Sequence, residues 1–193
     1  LRQLLARIED IETGRVTLDA LHVAIPPERI EQAKKAAAVL GDEVYSKFPF
    51  VKGMQPALDD LAELVLNRTW RPALSVTGQE GWPPLSNAGN VLRPFTAVKL
   101  SMRLPPTADG KTAGNALRDA LIKSPPYGAK VSFELEKSST GWNAPAMSPW
   151  LSHAIDHASK HAFGAPAMYM GEGGTIPFMG MLGEKFPGAQ FMI

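Results

Sequence analysis

Between Pro94 and the pair Pro105-Pro106 lies a run, 95–104, that alternates without interruption. Thr96, Val98, Leu100, Met102 and Leu104 fall on one side, and Ala97, Lys99, Ser101 and Arg103 on the other. Period-two alternation predicts a strand with one face in a core and the other open, hence a sheet covered on one side only. The prolines bound it, since neither can donate to a ladder. Arg103 therefore projects from the open face at the end of a rigid strand. A guanidinium held there suits bidentate recognition of a carboxylate or phosphate; the alternative is a solvated arginine paired with a neighbouring acid.

The elements around this strand suggest what covers it. Leu1, Leu4, Leu5, Ile8 and Ile11 share a helical face that Gly14 ends, and 15–23 reads as a short strand with Val16, Leu18 and Leu21 inward. Pro26-Pro27 opens an alanine-rich helix, 28–40, closed by Gly41. Segment 42–55 has no clear period, and its Lys47-Phe48-Pro49-Phe50 reads as a loop over an apolar patch or a partner surface. A helix is expected from Pro56 to Asn67, then a strand at 73–77, then a long polar connection through Gly89 and Asn90. After the alternating strand come a helix, 113–123, and a second alternating stretch, 129–136, with Val131, Phe133 and Leu135 inward. Together these predict an α+β, ferredoxin-like domain: a four-stranded antiparallel sheet with helices on one face. Its edge strands and loop-rich rim favour dimerisation.

At Ser138-Ser139-Thr140-Gly141 the texture turns polar, which places a domain boundary after residue 137. Beyond it, Ser148 is the expected cap of a helix starting at Pro149 and ending at Gly164, with Leu151, Ala154, Ile155, Ala158 and Ala162 inward. His153, His157 and His161 recur along it at every fourth position. Histidines at i and i+4 can bind zinc, but no carboxylate is spaced to complete a site, and the simpler reading is a solvated stripe. Next, Ala167-Met168-Tyr169-Met170 leads into Gly171-Glu172-Gly173-Gly174-Thr175-Ile176-Pro177. This reads as a strand, a glycine turn and a helix start. Glycine permits positive φ and close approach, and a threonine hydroxyl with free helix N–H groups can hold a carboxylate. The alternative is a tight turn with no ligand.

Composition narrows the classes. The 193 residues carry a net charge of +1, no footprint for nucleic acid or an anionic membrane. No cysteine is present, so a disulfide framework and thiolate metal sites are excluded. No apolar run approaches the roughly 20 residues of a membrane span. The chain opens inside a helical pattern at Leu1 and closes within an apolar one at Ile193, and the expectation is a piece of a longer, cytoplasmic protein.

Two motifs carry a resemblance. The run from Val91-Leu92-Arg93-Pro94 to Arg103-Leu104-Pro105-Pro106 looks like the lid-domain strand of co-catalytic zinc metallopeptidases. That family includes carnosinase-like dipeptidases, acetylornithine deacetylase, succinyl-diaminopimelate desuccinylase, glutamate carboxypeptidase and aminoacylase. Tyr169 to Pro177 is similar to the family's glycine turn, usually Glu-Gly-Gly-Ser-Ile-Pro, in the same order and at about the same spacing. The resemblance implies a lid or dimerisation domain over 1–137 and the C-terminal part of a catalytic domain over 138–193. It implies that Arg103 grips the substrate's free carboxylate and that Gly174 and Thr175 hold the same group. Asn90 stands where carnosinase-like relatives carry a lid threonine that reaches the partner subunit's active site, a departure from the pattern.

The activity so implied is zinc-dependent hydrolysis of the amide bond of dipeptides or N-acyl amino acids by a homodimer. A pair of zinc ions activates water there, and a glutamate acts as general base. The family's His-x-Asp motif and Glu-Glu pair have no counterpart in this chain, and His22 does not match the lid histidine. The expectation is thus substrate binding and dimerisation without catalytic or metal-ligating residues. A non-catalytic dimerisation or ligand-binding module, or an unrelated α+β binding domain, is the alternative.

Overall fold

The computed structural model describes residues 1–173 and 177–192. Helix α1 is short, Arg2–Leu5, because Asp10 turns the chain. Its Oδ1 accepts from Thr13 N at 2.8 Å and Thr13 Oγ1 at 2.6 Å, and Gly14 follows at φ +67°. The chain reverses so that Val16 bridges Glu9, which leaves Ile11 exposed rather than on the buried face with Ile8. The strand expected over 15–23 is reduced to that bridge and a 3-10 turn at Asp19–Leu21, although Val16 and Leu21 are buried and Leu18 packs beside them.

Helix α2, Pro27–Leu40, keeps its predicted limits to within a residue and ends at Gly41 with φ +54°. A single-turn helix α3, Glu43–Ser46, follows. Helix α4 is Leu61–Thr69 and does not begin at Pro56. Asp60 sets the start, its carboxylate accepting from Ala62 N at 2.9 Å and Glu63 N at 3.1 Å, the ordinary N-cap arrangement.

Strand β1, Ala73–Glu80, pairs antiparallel with β2, Ala97–Arg103, with a bulge between Val76 and Gly78. Val98, Leu100 and Met102 are half-buried while Ala97, Lys99, Ser101 and Arg103 are exposed, the alternation read from the sequence. Helix α5, Gly110–Ile122, is capped by Asp109, which accepts from Thr112 N at 2.7 Å.

The sheet among the described residues has two strands, so the four-stranded ferredoxin-like sheet is not what is observed. Segment 129–136 runs beside β2 and α5: Lys99 Nζ meets Glu136 Oε2 at 2.6 Å, and a Cβ on Gly114 would lie 2.6 Å from Leu135 Cδ2. Yet it makes no backbone ladder, and Leu135 is 44% exposed. Side-chain contacts hold it where inter-strand hydrogen bonds were expected.

Two cores result. The first joins Ile8, Val16 and Leu21 to Ala113, Leu117 and Leu121 of α5, with Leu74, Leu100 and Met102 of the sheet packed on them. Helix α5 and the 8–21 segment pack on the sheet through Leu74, Leu100 and Met102. The second joins Ala33 and Ala37 of α2, Val44, and Val65, Leu66 and Trp70 at α4, with Met170 packed on it.

Beyond residue 137 the described elements are α6, Pro149–Phe163, and α7, Pro177–Lys185. Gly164 ends α6 in the left-handed region at φ +71°. Ser148 does not cap it: its backbone N–H donates to Gln190 Oε1 at 2.6 Å, and its hydroxyl is buried without a partner. The run 167–170 is not a strand.

Candidate functional site

The strand that carries Arg103 and the glycine turn are far apart in sequence, and the fold brings them together. Gly173 lies against the end of β2: a Cβ placed on it would be 2.9 Å from Arg103 Nη2 and would run into the carbonyl oxygen of Arg68. The turn is wedged between the last residue of β2 and the last turn of α4. Neither Gly171 nor Gly173 has positive φ, so glycine is needed at 173 for close approach rather than for conformation. A Cβ on Gly171 would find Thr69 Cβ at 3.5 Å, ordinary contact.

Upstream of the turn, Met170 fixes its approach. Its side chain packs on the α2–α4 core, and its sulfur lies 3.5 Å from Arg68 Nη2. Across the same core Arg29 ties α2 to the segment after the predicted boundary, donating to Asn143 Oδ1 at 3.1 Å and the Ala144 carbonyl at 2.7 Å.

The cations differ in what they are paired with. Arg71 meets Glu63 at 2.7 Å and Lys99 meets Glu136 at 2.6 Å. The Lys99 ammonium, first by its hydrogen bond and then by its charge, holds the Glu136 carboxyl below its ordinary value. Arg103 and Arg68 have no carboxylate partner among the described residues. Arg103 is thus an exposed arginine without an ion pair among the described residues.

The other predicted site residues stand as follows. Gly174 and Thr175 lie outside the described residues. Asn90 is exposed in the 81–96 connection and makes no hydrogen bond within the described residues. That connection is closed at its base by Arg93 stacked 3.8 Å over the Trp82 ring. His153, His157 and His161 are exposed, and Asp156, between the first two, is engaged by Lys160 at 2.6 Å. Among the described residues no group of three or more His, Cys, Asp or Glu could hold a metal ion. Nor, among the described residues, is any helix long and apolar enough to cross a membrane.

Sequence reasoning missed Arg68. It reads as an ordinary polar position near the end of an amphipathic helix, and nothing local signals that Gly173 will sit on its carbonyl.

A groove of about 520 Å³ lies elsewhere, between Trp142, Pro145 and α7. It is floored by the edge-to-face pair of Trp142 and Phe191, with centroids 5.0 Å apart. Neither Arg103 nor Gly173 lines it, and we place the candidate site at the unpaired guanidinium because chemistry, not volume, selects an anion site.

No family model matches the chain. Among curated proteins it is 26% identical over 183 residues to the Cys-Gly metallodipeptidase of Saccharomyces cerevisiae, covering 92% of this chain and 37% of that protein. Its fold is similar to that of human carnosine dipeptidase 1, at TM-score 0.61 and 21% identity over 94% of this chain and 38% of the other. It is also similar to an M20 family metallo-carboxypeptidase from Sulfolobus solfataricus, at TM-score 0.64 and 18% identity over 95% of this chain and 46% of the other. The solved yeast dipeptidase Dug1p gives TM-score 0.63 and 22% identity over 94% and 38%. The chain thus spans less than half the length of each of these relatives. Over nearly its whole length it resembles metallopeptidases: in sequence a metallodipeptidase, and in fold a carnosine dipeptidase and an M20 family metallo-carboxypeptidase.

Proposed function

We propose that this chain supplies the substrate-carboxylate end of a zinc-dependent dipeptidase or related amidohydrolase. Residues 1–137 act as lid and dimerisation domain, and 138–193 as part of the catalytic domain. The observation that carries the reading is the Arg103 guanidinium beside Gly173, with no acid paired to it among the described residues. A free carboxylate bound there accepts a charge-assisted, two-pronged hydrogen bond from Arg103. Gly174 and Thr175 complete the cradle in this reading, and Asn90 faces the partner subunit of a homodimer. The dipeptide's amide bond is then held at a fixed distance from the carboxylate, the positional contribution of a binding residue to hydrolysis.

Among the described residues no group of three or more donors fits a zinc site. No step through the metal is assigned to it; ligands, general base and water activation belong to the remainder of the complete protein. The same observation favours a second reading, a dimerising ligand-binding module without a metal site.

The deciding experiment measures zinc content and dipeptide hydrolysis in the complete protein and its Arg103→Ala variant. Expected are bound zinc, chelator-sensitive hydrolysis, and at least a tenfold loss of kcat/KM for free-carboxylate substrates in a variant that keeps its metal. A complete protein without zinc or hydrolysis would leave the binding-module reading. Chelator-sensitive hydrolysis by the 193-residue chain alone would refute the assignment of all catalytic groups elsewhere.

A further inference from the structure

The chain has four histidines, and the fold treats one of them differently from the other three. His22 is half-buried, and its Nε2 lies 2.7 Å from the Val16 carbonyl oxygen. His153, His157 and His161 are exposed along α6, and none of them makes a hydrogen bond or an ion pair among the described residues. The polar side chains between them are occupied. Asp156 accepts from Lys160 Nζ at 2.6 Å, and Ser159 donates to the Ala165 carbonyl at 2.9 Å. The lysine charge beside the stripe is therefore answered by Asp156, and the three imidazoles stay open to solvent.

Helix geometry decides what such imidazoles can do. Residues four apart stand one above the other on one face, with Cβ atoms about 5–6 Å apart, a span that one ion with metal–nitrogen bonds of about 2 Å bridges. His153 and His161 are separated by about 12 Å along the axis, so they cannot meet on the same ion. Hence the described residues hold no group of three metal donors, although the stripe contains two overlapping pairs, 153–157 and 157–161, with His157 common to both. The pairs are not equivalent. His161 lies in the last turn of α6, where the free carbonyls at the helix end favour a cation. The carboxylate beside the first pair, Asp156, is already taken by Lys160.

We propose that His157 and His161 form a two-imidazole chelate for a divalent transition-metal ion on the exposed face of α6, with Cu2+ bound more tightly than Ni2+ or Zn2+. Neutral imidazole is a preferred ligand of all three ions, and the order follows their general affinity for nitrogen donors. Two protein ligands leave the remaining coordination positions to water, so the ion is exchangeable. This inference does not rest on the reading of Arg103 given above, and either can fail without the other.

The test is an electron paramagnetic resonance titration of the 193-residue chain with Cu2+ at about pH 7.5, where free imidazole is largely neutral. It is repeated on each histidine-to-glutamine variant, and because the three side chains are exposed the substitutions leave the fold intact. Expected is one tightly bound Cu2+ per chain with the hyperfine signature of two nitrogen ligands. Affinity should fall at least tenfold in both His157→Gln and His161→Gln, and less than threefold in His153→Gln. A single-nitrogen signal, or an affinity unchanged by His157→Gln, overturns the chelate. A larger loss in His153→Gln than in His161→Gln overturns its placement in the last turn.

Discussion

Residues 1–137 and 138–192 are built from similar helices, yet only the first region buries them. Among the described residues the buried apolar ones, from Ile8 to Leu121, all lie in the first region. In the second, α6 and α7 contain no buried residue, and Trp150, Phe163, Phe178 and Phe186 are 67%, 83%, 60% and 57% exposed. An apolar stripe is a request for a neighbouring layer, and it becomes a core only where another element supplies one. In the first region α5 finds the inner face of β1–β2, and α2 finds α4. The glycine turn joins the better-packed side through Met170 and through Gly173 against Arg68 and Arg103, so the turn is positioned by the first region although its sequence belongs to the second.

The sharpest test of this difference is paired truncation. Ile8→Ala and Leu21→Ala, at 0% exposure, should each cost about 2–5 kcal/mol in urea unfolding. Phe163→Ala should change stability by less than about 0.5 kcal/mol. A large cost at Phe163 would mean that the second region buries a core after all. Gly173→Ala separates site from scaffold, because its Cβ would strike the backbone of Arg68, which cannot rotate away. At least a tenfold loss of carboxylate binding is expected, with the urea midpoint almost unmoved. A variant that binds normally would show that the turn is not seated on α4.

Hydrogen exchange should rank the amides in the same order. Those of α5 and the β1–β2 ladder are expected to be protected at least tenfold more than those of α6, and equal protection would abolish the contrast. The smallest effect concerns Asp109. Its hydrogen bonds with Thr112, the side chain's first and the backbone's second, hold its carboxyl below the ordinary value. A depressed folded pKa contributes stability that is present above the unfolded value, about pH 4, and is lost as pH falls through the folded one. Asp109→Ala should therefore lower Tm near neutral pH and make little difference near pH 2. A Tm gap that persists at low pH would place the effect in packing rather than in the ionised cap.

Much of the framework was legible in the sequence because its causes are local. Proline at N1 and glycine after Leu40 delimited α2, and alternation assigned the faces of β2 and put Arg103 on the open one. Where a side chain intervened in the backbone, local reading went astray. Asp10 ended the first helix early, Asp60 moved the start of α4, and Ser148 gave its N–H to Gln190 instead of capping α6. These hydrogen bonds turn on a single conformer, which periodicity does not register.

By itself the sequence determined which parts are present: an arginine at the end of a strand, a glycine-rich turn, and a family resemblance that joins them. Only the tertiary structure decided that the parts meet, that close packing rather than positive φ makes Gly173 necessary, and that the backbone carbonyl of Arg68 bounds the turn opposite Arg103. The physical reason is sequence separation. Propensity, capping and alternation act over a few residues, whereas the distance from α4 and β2 to the turn is closed by Met170 sinking into a core whose other members lie far away in the chain.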